Sequence, residues 1–178
     1  MTSSDLLNEQ RSLLSERLDA IMRCLHFLSV STEKLDWPIT AAVLEAEKKN
    51  TELFESLAAL NERFSKLQDL LASAMRQSAA LAGEETRDSL RVIAFFSKIG
   101  VIADEEAWRT CRAFRNLSAH EYSTDPQATA SHFNTLHELA PVLAGTSRNL
   151  IDFCEKSLGI RPLTGDFTDE FSRAVRRF

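Results

Sequence analysis

One run constrains this chain more than any other. Val43, Ala46, Asn50, Leu53, Leu57, Leu60, Phe64, Leu67, Leu71, Ala74, Ser78 and Leu81 recur in steps of three and four. That spacing draws a single stripe along an α-helix and sustains a heptad seam for more than five repeats. Such a stripe must be buried against other helices. Strand-type alternation is absent and glycine and proline are few, five and four, so the fold class is all-α. Unbroken, the helix over 39–82 would be about 66 Å long, more than a compact bundle of this size needs. Either it breaks, or its first part projects and pairs with the first helix as a long N-terminal hairpin. Asn50, polar at a seam position, is a candidate for fixing register between helices or protomers.

The rest of the chain supplies the partners. Residues 4–30 repeat Leu7, Leu14, Leu18, Ile21, Leu25 and Leu28 at helical steps, with His26 beside that stripe as a packed or rim histidine. Asp36-Trp37-Pro38 breaks the pattern, and Pro38 suits the first turn of a following helix. After Gly83, residues 84–99 read as a helix with Leu90, Ile93, Ala94 and Ile99 inward, stopped by Gly100. Asp104 then caps a helix whose first turn carries Glu105 and Glu106. Asp125-Pro126 opens a last long helix to about 158, with a kink expected at Pro141. The expected organisation is an antiparallel bundle of four to five helices over 1–159, divided as 1–38, 39–82, 84–122 and 125–159. A tail at 160–178 places Phe167, Phe171, Val175 and Phe178 on one side and is expected to dock on its own bundle.

Charge and cysteine usage narrow the functional classes. The net charge of −5 argues against broad, unspecific nucleic-acid binding but leaves room for a local basic strip. Cys24, Cys111 and Cys154 are widely separated and odd in number. They fit neither a disulfide framework nor a zinc site and read as buried thiols of a cytoplasmic protein. No apolar run approaches the length of a membrane span, and His132 and His137 are five residues apart, too far round a helix for a ligand pair. Neither a metal nor a cofactor is expected.

Functional interest concentrates at 109–122. At about 100° per residue, Arg109, Arg112, Asn116 and His120 share one face of a helix, with Arg115 and Tyr122 at its edge. Such a face can hold a phosphate, polarise it and move a proton near neutral pH. Three arginines alone would equally make a solvated basic face. Tyr122 sharpens the pattern, because it is the only tyrosine against 11 phenylalanines. Elsewhere the chain supplies aromatic bulk with Phe, so this hydroxyl needs a reason of its own; a hydrogen bond at a helix end would be one.

The residues Arg115, Asn116, His120 and Tyr122 form an R-N-x-x-x-H-x-Y pattern. It resembles the HEPN signature in its HepT form. The approach Gly100-Val101-Ile102-Ala103-Asp104-Glu105-Glu106-Ala107-Trp108 resembles the lead-in of HepT-like and nucleotidyltransferase-associated HEPN proteins. The likeness spans about 50–155 and is specific only at 100–126. It implies a HEPN-type bundle acting as a homodimer that pools its motifs on an RNA substrate. It also implies a partner, a minimal nucleotidyltransferase (MNT-type) antitoxin that can transfer AMP to the motif tyrosine, here Tyr122.

The chemistry fits that expectation. With no phosphate-binding glycine loop, serine-hydrolase elbow or metal cluster in the sequence, Arg, Asn, His and Tyr must carry any reaction. They suit metal-independent cleavage of RNA by its own 2′-hydroxyl, with His120 as base or acid and Arg115 offsetting charge on the phosphorus oxygens. Asn116 orients the imidazole or a phosphate, and Arg112 and Arg109 support binding. Arg115 and His120 diverge by about 140° on one helix, so two copies across a twofold axis aim them better than one. The expectation is an endoribonuclease toxin. A non-catalytic HEPN adaptor that binds a nucleotidyltransferase or nucleotide, and a helical assembly protein, are the alternatives.

Overall fold

A computed structural model describes residues 3–115 and 124–178. Those residues form α1 (Ser3–Glu33), α2 (Ala41–Ala46), α3 (Thr51–Leu81), α4 (Ser89–Lys98), α5 (Glu105–Arg115), α6 (Pro126–Phe153) and α7 (Thr168–Arg177). A π-helical turn, Cys154–Leu158, extends α6. No strand occurs among the described residues, so the chain is all-α.

Three long helices make the core. Arg17 on α1 donates to Gln77 on α3, and Arg63 on α3 donates to the Phe27 carbonyl at 3.2 Å. The two helices therefore run antiparallel. Leu14, Leu18, Ile21, Leu25 and Leu28 face Leu57, Leu60, Phe64, Leu67 and Leu71, and all ten are essentially out of water. α6 closes the third side with Phe133, Leu136, Ala140, Leu143 and Leu150. It runs unbroken through Pro141, which sits on the exposed face where a lost backbone hydrogen bond is cheapest.

The seam does break, and Asn50 breaks it. Its side chain accepts the Leu53 N–H at 3.2 Å and caps α3, while Thr40 caps the short α2 in the same way. Asn50 is thus an N-cap, a role asparagine fills well, and not a seam residue. Val43 is 48% exposed and Ala46 lies outside the core, so the buried seam starts at Leu57. α3 keeps 31 residues, about 46 Å. Pro38 stands in the loop before α2, its peptide with Trp37 cis, and not in a helical first turn.

α4 and α5 cover α3, and α5 also packs on α6. α4 begins at Ser89, capped by Asp88, and buries Val92, Ile93 and Phe96. Leu90, two residues and so about 200° from Val92, faces water together with Ala94 and Ile99, contrary to the expected inward set. At the far end, Gly159 takes the left-handed conformation that ends the α6 extension (φ 63°). The chain then lies back along α1. Asp19 accepts the backbone N–H groups of Thr164 and Gly165, and Ser15 gives its carbonyl to Leu163. α7 follows with Phe171 and Ala174 buried, and Phe167, Val175 and Phe178 packed against the same core. The tail therefore docks on its own bundle. No described helix is long and apolar enough to cross a membrane.

Candidate functional site

The local sequence fixes where α5 starts and which way it faces. Gly100 turns the chain at φ 77°, and Val101 and Ile102 plug into the core. Asp104 then accepts the Ala107 N–H at 3.0 Å as N-cap. Glu105 and Glu106 occupy the first turn and Arg112 and Arg115 the last, each complementing the helix dipole. Trp108 and Cys111 are buried and Phe114 packs against the core, which leaves Arg109 and Arg112 on the open face.

The three arginines have different fates. Arg109 is held by Glu105 one turn back, at 2.6 and 3.1 Å. That contact keeps the Glu105 carboxyl below its usual range. Arg115 reaches across to α3 and grips Asp69 with two bonds, Nε–Oδ1 at 2.8 Å and Nη2–Oδ2 at 3.0 Å. Both side chains are 43% exposed, so the pair contributes at most about 1 kcal/mol. Its effect is geometric. The guanidinium is fixed edge-on, and Nη1 has no acceptor among the described residues. Arg112 has no hydrogen-bond or ion-pair partner among them at all. Asn116, His120 and Tyr122, the remainder of the strip, lie outside the described residues.

Two depressions adjoin this face. An open cleft of about 510 Å³ lies between α1 and α3, with Arg17, Asp69, Arg76 and Gln77 in its walls. Gln77 is fixed there, taking a bond from Arg17 and giving one to the Gln10 carbonyl at 2.7 Å. A hollow of about 60 Å³ lies between α3, α4 and α5. Asp69, Arg76 and Arg17 went unnoticed in the sequence. Asp69 is 46 residues from Arg115 and off the apolar stripe, so no local pattern announces it.

Other candidate groups are accounted for by packing. His132 is 5% exposed, with Nε2 3.2 Å from Asn61 Oδ1 and its ring stacked 5.9 Å from Phe114. His137 stacks flat on Trp37, centroids 4.1 Å apart, and burial lowers its pKa. The two histidines thus serve different neighbours. Burial pushes all three thiols, Cys24, Cys111 and Cys154, up to about 12. They are inert as nucleophiles at neutral pH. Among the described residues no cluster of three or more His, Cys, Asp or Glu is arranged to hold a metal ion.

No family model, no curated protein and no solved structure matches this chain.

Proposed function

We propose that this chain is a HepT-like HEPN toxin: a homodimeric, metal-independent endoribonuclease, restrained by an MNT-type nucleotidyltransferase that modifies Tyr122 with AMP. The observation that carries the reading is the open face of α5. Arg109, Arg112 and Arg115 stand on a capped, core-anchored helix that leads straight into Asn116, His120 and Tyr122. In the proposed reaction His120 takes the proton of a ribose 2′-hydroxyl. The 2′-oxygen attacks the adjacent phosphorus, and the 5′-oxygen leaves with a proton returned by an imidazolium. Arg115, steadied by Asp69, offsets the charge that grows on the non-bridging oxygens through its remaining N–H groups. AMP on Tyr122 would place bulk and negative charge beside these arginines and block the strand.

The test is incubation of metal-stripped protein with total RNA in EDTA, beside His120→Ala and Arg115→Ala. Fragments ending in 2′,3′-cyclic phosphate, lost in both variants, are expected. Intact RNA from folded protein with an unmodified Tyr122 would overturn the reading.

The Arg115–Asp69 pair carries a second reading, a non-catalytic HEPN adaptor, because the carboxylate offsets part of the charge a cleavage clamp would supply. An adaptor is harmless when expressed alone and co-purifies with a nucleotidyltransferase. A toxin expressed alone arrests growth, and His120→Ala relieves the arrest.

A further inference from the structure

The small hollow between α3, α4 and α5 has a chemical bias that the motif strip does not explain. Its floor is apolar and dry: Met75, Val92, Ile93 and Trp108 are each 5% exposed or less. Its polar wall consists of Arg76, Arg112 and Ser89, and no carboxylate among the described residues lines it. Arg76 and Arg112 have no hydrogen-bond or ion-pair partner among the described residues. The Trp108 indole N–H is also buried without an acceptor among them, at a cost of about 1–3 kcal/mol for an unsatisfied donor. Two guanidinium groups and an indole, all donors with no acceptor capacity, therefore border one hollow.

We propose that this hollow binds a phosphoryl group. Guanidinium forks approaching from α3 and α5 suit a tetrahedral oxyanion, which offers each fork its own pair of oxygens, whereas a planar carboxylate has only one pair to share. The volume of about 60 Å³ is enough for such a group. The large cleft shares Ala72 and Arg76 with the hollow, so the remainder of a nucleotide or strand extends there. Arg76 bridges the two compartments. The site shares Arg112 with the α5 face but does not depend on the ribonuclease reading, since binding and strand cleavage are measured separately.

The test uses Trp37→Phe protein, which leaves Trp108 as the sole tryptophan, excited to the red of the Tyr122 band. Titration with inorganic phosphate and with pyrophosphate, followed by Trp108 fluorescence and by ³¹P line broadening, should give saturable binding. Arg76→Gln and Arg112→Gln, both at exposed positions, should each weaken it roughly tenfold. Trp108→Phe, followed by the ³¹P signal, should weaken it severalfold while keeping an aromatic side chain in place. A 5′-phosphorylated oligoribonucleotide binding more tightly than its 5′-hydroxyl form would identify a strand end as the source. Tighter binding of a mononucleotide would identify a free nucleotide. No saturable response at tens of millimolar, an equal response to acetate, or binding that survives both arginine substitutions would overturn the proposal.

Discussion

The two ends of the α1–α3 hairpin solve opposite problems. At the closed end, side chains take up backbone polar groups, although His137 Nδ1 is buried without a partner among the described residues. The Trp37 indole donates to the Thr32 carbonyl at 2.9 Å and its ring lies on His137. Asn134 on α6 clamps the backbone of Ile39 from both sides, accepting its N–H at 2.9 Å and donating to its carbonyl at 2.8 Å. At the open end, arginines from three helices border two depressions, and neither Arg76 nor Arg112 has an ion-pair partner among the described residues. Nearby, Arg115 and Arg109 do have an acid beside them. Both proposals place function at the open end, where the arginines are left for something that arrives.

That contrast can be broken by mutation. The largest effect is expected from Leu60→Ala, a 1% exposed seam residue toward the closed end, which should lower unfolding free energy by about 2–5 kcal/mol in urea titrations. Charging Leu60 would unfold the chain itself, so its loss says nothing about assembly. Asn134→Ala should cost about 1–3 kcal/mol, because it strands both polar groups of Ile39. Arg76→Gln, at the open end, should change stability by no more than about 0.5 kcal/mol while weakening anion binding. A loss there as large as that of Asn134→Ala would erase the distinction between the ends.

The smallest effect concerns pH. Burial lowers the His137 pKa from its ordinary 6.5, so below 6.5 the unfolded chain takes up the proton first. The contribution of neutral His137 is therefore complete above 6.5 and is lost as pH falls through its lower folded value. Urea midpoints measured downward from pH 7 should decline in the native chain and decline less in His137→Gln.

Much of the frame was legible in the residues because helices announce themselves locally. The seam from Leu57 to Ser78, the Asp104 cap, the glycine stop at 100 and the amphipathic tail each depend on neighbours within a few turns. Asn50 was misplaced because a three-four spacing and an N-cap offer the same residue two roles. The bond from the Leu53 N–H to its side chain and the exposure of Val43 tell them apart. In α4 the stretch from Leu90 to Ile99 is apolar on several sides, so the inward set follows from where the helix begins. The candidate site was legible only along its own helix. Arg109, Arg112 and Arg115 could be placed on one helix, whereas Asp69 and Arg76 join them through packing of segments that share no pattern.

The return of the tail has a consequence for biosynthesis. Arg177 bonds to Ser29 across 148 residues of chain and pairs with Glu33, and Phe167 covers His26 and Phe27. At about 5–20 residues per second, the strip of α1 that α7 covers waits roughly 7–30 s on the ribosome before its cover is made. During that interval the nascent hairpin shows water a greasy flank that the finished protein covers in part, and this is the stage at which a chaperone has most to do.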